Sequence, residues 1–451
     1  MTFIYVSGLG NEVSVVQVDE HGNHVKTIQT VNPIVDPLPL GCEKLKPPHL
    51  ATEWITKHPK YNLLLTLTSF WSTHEAILTT FRINKTTGEL TKLTSCTTGG
   101  LQACHGIFSH DTTTYVVCHH NDGRITFFDV TDDVGITKYV KVIRLPELIP
   151  GKFVEPQDTK MGVGVPSAHG LSYSPNGKYL LVAEPCQTGA ITYQCDTHGR
   201  LLVEDTSKEG EENEEEEEET SITSITQHYS HVISTTQLTT PGWLMKMISY
   251  LALDGCPRIR RVAVHPNGKY VYLMSEFFNT IQVYPIDETG KITTTTTEGG
   301  GGCLQELQFA GMQLEKECWI GLGVTCASEF QVYDDCIMVS VRGIAAGYGL
   351  GKAESCIRII NYVDDDGSRL ELGELIETPG PVRHFDRHGD TLWVGMNTSS
   401  YPYVQKYVKK KKSRSNDERE TKNSSSCYEL VGEVNVGVDV MCVVAVEESS
   451  L

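Results

Sequence analysis

Seven short runs of β-branched, aromatic and aliphatic residues recur along the chain, each bounded by a turn: Phe3–Ser7, Asn62–Thr68, Tyr115–His119, Tyr179–Ala183, Val271–Ser275, Cys336–Val341 and Thr391–Met396. Three share a lead-in: Ser174-Pro175-Asn176-Gly177-Lys178-Tyr179, His265-Pro266-Asn267-Gly268-Lys269-Tyr270 and the looser His58-Pro59-Lys60-Tyr61. In that lead-in proline closes one strand, Asn-Gly supplies the positive φ of a tight hairpin, and tyrosine opens the next strand. A further strand follows in most units, at Ile77–Ile83, Ile125–Val130, Ala190–Tyr193, Thr280–Ile286 and Ile357–Tyr362. Strand–hairpin–strand units returning every ~40–60 residues without a helical period predict an all-β, seven-bladed β-propeller. Near the end, Tyr428–Val434 and Val438–Val446 read as two last strands that close the ring with Phe3–Ser7 and Val13–Val18 in one blade.

Composition changes this picture little. The 451 residues would ordinarily divide into two or three domains, but a ring of blades buries its faces only against its neighbours, so one domain over 1–451 is expected. No apolar run is long enough for a spanning helix, and no basic segment followed by an apolar one resembles an export signal, so a cytoplasmic protein that does not engage a membrane is expected. The 14 cysteines include no Cys-x-x-Cys pair and read as reduced core thiols, with no metal site and no cofactor. Nine glutamates between Glu209 and Glu219 account for nearly half of the net charge of −19, and the remaining mild acidity argues against nucleic-acid binding.

Two biased segments interrupt the pattern. The stretch 205–240, acidic and then Ser/Thr-rich, repels itself and cannot bury apolar area, so disorder is expected there. The stretch 409–426 begins with four lysines and reads as an exposed loop of the last blade. Trp243–Leu253 is too short to cross a membrane and suggests a short packed helix, and Thr293–Gly302 suggests a loop.

In a propeller the strand ends of different blades converge on one mouth, so polar residues that end apolar runs are the candidates for chemistry. His169 stands six residues before Pro175. Arg260 stands five before His265, Glu276 follows the run ending at Ser275, and Arg342 follows Val341. Glu184, ending Tyr179–Ala183, is a weaker candidate. Arg258 competes with Arg260, and Arg383 precedes the last-blade turn as Arg260 precedes its own. His105 occupies a pre-turn position like that of His169, and one of His119 and His120 could line the same mouth. Gly347–Lys352 lacks the spacing of a phosphate loop and reads as a flap over the mouth.

The chain resembles the lactonase-type seven-bladed propellers, which include bacterial 6-phosphogluconolactonase and the fungal 3-carboxy-cis,cis-muconate lactonizing enzyme. The resemblance is strongest in Ser167-Ala168-His169-Gly170, in Arg260-Arg261-Val262-Ala263-Val264-His265-Pro266 through Glu276, and around Arg342. It implies that His169, Arg260, Glu276 and Arg342 are catalytic. One departure is that the family usually has proline directly before the first arginine, where this chain has Ile259. The local motifs favour an intramolecular lyase that closes a lactone on carboxymuconate, as in the breakdown of aromatic acids. The alternatives are hydrolysis of 6-phosphogluconolactone and a scaffold without catalysis. The chemistry agrees with either activity, because a polycarboxylate or a phosphosugar acid is a small polyanion that arginine's planar fork grips bidentately. His169 or Glu276 would move the proton, Glu276 with a pKa raised by partial burial.

Overall fold

The computed structural model describes residues 2–34, 50–70, 74–146, 166–186, 189–203, 239–241, 245–253, 258–276, 278–297, 300–310, 325–343, 355–397, 402–410, 427–437 and 439–447. Every regular element among them is a strand, and seven sheets of four or five strands, antiparallel but for one short edge strand, form the blades of a propeller. The predicted runs are the second strands, counted from the axis: Thr2–Gly8, Leu63–Ser69, Thr114–His119, Tyr179–Glu184, Tyr270–Ser275, Cys336–Gly343 and Thr391–Met396. All seven are strongly apolar because they are sandwiched between the two neighbouring blades. The core is accordingly interblade, as where Tyr272, Met274 and Ile281 of one blade pack on Ile337, Val339 and Val341 of the next.

The turns follow from the lead-in, with one refinement. Gly177 (φ 71°) and Gly268 (φ 75°) take the left-handed conformation, while the preceding asparagines do not. Gly177 N donates to Ser174 O at 2.8 Å, and Asn176 Oδ1 accepts from Lys178 N at 3.0 Å. This is a type I turn with proline at its second position and glycine after it, not a two-residue Asn-Gly hairpin. The third lead-in has no glycine. There the His58 ring does the work, its Nδ1 accepting from Lys60 N and Tyr61 N at 3.0 Å each.

Ring closure pairs Thr2–Gly8 with Val440–Glu447, so the C-terminal strand is the innermost of the first blade. Only that strand crosses over. Tyr428–Asn435 is the outer strand of the preceding blade, paired with Tyr403–Lys409, because the seventh unit needs a fourth strand of its own. Two other expectations are overturned. Met247–Ala252 is no helix but the outer strand of the fourth blade, on Gly189–Gln194. Within Thr293–Gly302, Thr295–Thr297 and Gly300–Gly302 form a small hairpin. Of the 205–240 segment, Thr239 and Thr240 begin a short parallel edge strand on Gly135–Arg144, and 204–238 lies outside the described residues, as do 411–426 and the expected flap at 347–352.

The innermost strands carry the site: Ala51–Lys57, Ala103–Phe108, Gly170–Tyr173, Ile259–Val264, Thr325–Val332 and Val382–His388, with Val440–Glu447 completing the ring. Six of the seven break register near their start, between Thr52 and Trp54, Ala103 and His105, Ile259 and Arg261, Ala327 and Phe330, Val382 and His384, and Val440 and Cys442. A bulge suspends the alternation of side chains. It turns two consecutive residues of the strand toward the axis where a regular strand would turn one. The result is two stacked tiers of side chains, the upper containing Glu53, Arg260 and Arg383, the lower Trp54, His105, Arg261, Glu329 and His384. His169 joins the upper tier from the residue before its strand, its N–H donating to Ala183 O at 3.1 Å.

Candidate active site

Glu276 is the hub of the upper tier. Its Oε1 accepts from Arg260 Nη1 at 3.0 Å and from Arg342 Nη2 at 2.7 Å, and its Oε2 from Arg258 Nε at 3.0 Å. The two competing arginines therefore hold opposite oxygens of one carboxylate, and no choice between them is required. Arg258 reaches it from a left-handed backbone (φ 48°), a conformation a non-glycine residue adopts only when its surroundings compel it. Here the Arg258 carbonyl accepts from Glu276 N at 3.1 Å, so backbone and side chain are tied to the same residue.

Around this hub the other blades converge. Arg260 Nε donates to Ser328 O at 3.0 Å. Arg383 Nη2 lies 3.5 Å from Glu53 Oε2. The His169 and His120 rings meet edge to face at 5.0 Å, and His120 Nδ1 lies 2.7 Å from Ser167 Oγ. Glu184 Oε1 accepts from Ser167 N at 2.6 Å, which anchors the segment carrying His169. Of the two adjacent histidines, His119 is buried against Thr98 Oγ1 and the Arg124 carbonyl, so His120 is the one that reaches the site.

The lower tier is closed. Arg261 Nη2 donates to Glu329 Oε2 at 3.0 Å and Nη1 to His169 O at 2.7 Å, and its guanidinium lies 5.3 Å from the Trp54 ring centre. Trp54 comes from a blade far from that of Arg261, so this contact spans the axis. His105 and His384 flank Trp54 edge to face at 4.5 and 4.9 Å. His105 thus lies one tier beneath the arginines, with its Nδ1 accepting from Leu171 N at 3.2 Å.

Electrostatics alter the roles expected from the sequence. Burial alone would raise the Glu276 pKa, but Arg260, Arg258 and Arg342 outweigh it and hold the carboxyl well below its ordinary range. Glu276 is therefore a fixed anion and not an acid with a raised pKa. His169 is driven well below the imidazole range by burial and then by Arg260, His120 and Arg261, and His120 is driven to about 3 by burial and Arg258. Both rings are neutral at physiological pH. Burial, reinforced by Arg342, Arg383 and Arg261, presses Arg260 down to about 9 despite Glu276, which still leaves it a cation. Glu53 is the exception: it is buried, and burial raises its pKa against the opposing pull of Arg383, a side-chain hydrogen bond from Gln102, and Arg260.

Sequence reasoning missed Glu53, although a signal was present. It stands six residues before the turn proline Pro59, as His169 stands before Pro175 and Arg260 before Pro266. It was hidden because Ala51–Lys57 has no apolar run of its own. Among the described residues, no group of three or more His, Cys, Asp or Glu side chains is arranged to hold a metal ion. The described cysteines are free, and most of them are buried.

Comparison with known proteins agrees with this architecture. Residues 5–216, just under half of the chain, match the family model described as "Lactonase, 7-bladed beta-propeller". No curated protein matches the sequence. Among solved structures, a Bacteroides fragilis protein named as a candidate 6-phosphogluconolactonase superimposes with a TM-score of 0.64 at 14% identity, covering 99% of this chain and 98% of its own. The periplasmic gluconolactonase of Pseudomonas aeruginosa gives 0.63 at 13% identity, covering 99% of each chain. A candidate 6-phosphogluconolactonase of Bacteroides uniformis gives 0.61 at 14%, with the same coverage. At such identities the likeness speaks for the fold. In sequence over residues 5–216, and in fold over nearly its whole length, the chain resembles the lactonase-type seven-bladed β-propellers.

Proposed function

We propose that the mouth binds a small polyanion and acts on it by lactone-ring chemistry, closing the ring of 3-carboxy-cis,cis-muconate or a related polycarboxylate. The observation that carries this reading is the imbalance of the upper tier. Arg258, Arg260, Arg342 and Arg383 converge there, and the four guanidiniums share the two carboxylates of Glu276 and Glu53. Such a surplus of partly desolvated cations is costly without an anionic ligand. Arg342 Nε, moreover, has no hydrogen-bond partner among the described residues.

In ring closure a substrate carboxylate oxygen bonds to one alkene carbon, and the displaced electron pair builds an enolate-like anion at the conjugated carboxyl. A proton then quenches the adjacent carbon. The nucleophile arrives already ionised, so the protein needs only to press it against the alkene and neutralise the developing charge. Arg342, Arg260 and Arg258 are placed for that, with Glu276 fixing their geometry. His169, neutral and wedged between His120 and Arg261, suits orientation better than proton donation.

Hydrolysis of 6-phosphogluconolactone is the second reading, favoured by the names of the structurally similar proteins. The same arginines would then grip a phosphate and stabilise the oxyanion. Loss of diene absorbance when the purified protein meets 3-carboxy-cis,cis-muconate tests the first reading. Consumption of 6-phosphogluconolactone faster than its spontaneous hydrolysis would replace it with the second. Inactivity toward both would refute lactone chemistry and leave a binding scaffold.

A further inference from the structure

We infer that Glu53 is the residue of the mouth that exchanges a proton with the bound anion, an assignment that rests on the lactone-ring reading above. The inference begins with position. The bulge between Thr52 and Trp54 places Glu53 at the same level as Arg260 and Arg383, whose strands carry the same break in register. Its carboxyl therefore faces the anion site from the second blade, while Glu276 and its three arginines stand across the mouth in the fifth and sixth.

Its partners leave it half engaged. Arg383 Nη2 meets Oε2 at 3.5 Å, a long contact for an ion pair, and Oε1 is buried with no group among the described residues in hydrogen-bond geometry to it. Gln102, held at a φ of 56°, approaches the same carboxyl, and Arg260 faces it from across the tier. A carboxylate at rest in a buried site normally gathers several donors. Glu276 has done so, and Glu53 has not. A carboxyl with one oxygen unengaged is equipped to carry a proton and to present it to a ligand.

The other ionisable groups of the mouth are unsuited to the task. Glu276 is pinned as an anion by three guanidiniums, and the arginines stay charged. His169 and His120 are buried among cations, which keeps their rings unprotonated. Of the two carboxyls paired with these arginines, Glu53 is the one that burial drives toward its neutral, proton-carrying form. Seating a polyanion beside it would push it further the same way, because a second negative charge disfavours ionisation. Binding would thus arm the acid. In ring closure the neutral carboxyl gives its proton to the carbon that becomes sp³, and the resulting carboxylate is reprotonated from solvent. In ring opening the carboxylate takes a proton from water as oxygen bonds to the carbonyl carbon, then returns it to the departing ring oxygen.

Two measurements test this. Tricarballylate, an unreactive tricarboxylate, is titrated into wild type and Glu53→Gln between about pH 6.5 and 8, where the ligand's carboxyls and Arg260 keep their charges. Wild type should bind more weakly as pH rises and show a protonated-carboxyl infrared band that titrates. Glu53→Gln should bind within about threefold of the wild-type optimum at every pH and lack the band. An unchanged pH dependence in Glu53→Gln, or its absence in wild type, overturns the inference whether or not the protein turns over a lactone. On a substrate that wild type does convert, Glu53→Gln should lower kcat by 10²–10⁴-fold with little change in KM. Glu53→Asp should restore part of the rate with a shifted pH profile. A kcat within a few fold of wild type would likewise overturn it, whereas inactivity of the wild type itself counts only against the lactone reading.

Discussion

The two tiers on the propeller axis are built from neighbouring residues of the same strands, yet they have opposite characters. In the lower tier Arg261 and Glu329 pair one to one, both buried, and Trp54, His105 and His384 fill the space around them. In the upper tier Arg258 and Arg383 each remain about one-fifth exposed, and the cations outnumber the carboxylates. A closed ion pair among aromatic rings is a plug, and an open cluster of arginines has the character of the receptor proposed above. The contrast teaches that adjacency in sequence says little about role where a bulge is present. Arg260 and Arg261 differ by one position and belong to different layers of the molecule.

The widest separation should come from cutting into the plug. Glu329→Ala strands the Arg261 guanidinium in a buried site and should cost about 3–5 kcal/mol, read as a lowered midpoint in urea, with the remaining native protein still binding polyanions. A variant of undiminished stability would show that the lower tier is not structural. Next in size, Arg342→Ala should lower turnover, or polyanion affinity in the absence of turnover, by about 10²–10³-fold. Its stability should move by less than about 1 kcal/mol, because Arg260 and Arg258 still neutralise Glu276. Equal damage to folding and affinity would erase the distinction between the tiers.

Glu276 bridges the two behaviours. Glu276→Gln should cost stability as well as turnover, because a carboxylate that accepts from three guanidiniums cannot be neutralised cheaply. Its depressed pKa makes its contribution present above the ordinary carboxylate value and lost as pH falls below it. Urea midpoints measured downward from pH 7 should therefore decline more steeply below about pH 4.5 in wild type than in Glu276→Gln. Parallel curves would mean that Glu276 is not paired as described. The smallest effect is expected at His105→Phe: about 1 kcal/mol from the Leu171 N–H left without its acceptor, and unchanged polyanion affinity. A large loss of affinity would move His105 into the receptor.

Most of the fold was legible because the second strands are apolar on both faces, so runs such as Leu63–Ser69 and Tyr270–Ser275 announce themselves. The innermost strands do not, since each gives up its alternation at the bulge and shows charged residues to the axis. Arg260, Arg342 and Glu276 were visible as polar ends of apolar runs. Glu53 and Glu329 lay inside strands that had no recognisable run, and only counting back from the turn proline would have found the first. The arginine cluster was legible as residues but not as charges. That Glu276 is locked as an anion follows from three side chains meeting at two oxygens, which sequence spacing does not reveal.

The closing blade has a consequence for the order of assembly. Val440–Glu447 is made after every other described strand, yet it must slide between the axis and Thr2–Gly8, among the first strands made. Until it does, the Val443 N–H has not reached His384 Nδ1, nor the Ala445 N–H Asp386, and the wall of the mouth between Glu53 and Arg383 has a gap. The nascent protein is consequently an open arc that can have its arginines in place but cannot enclose a ligand, and capacity to bind should appear in a single late step as the arc becomes a ring.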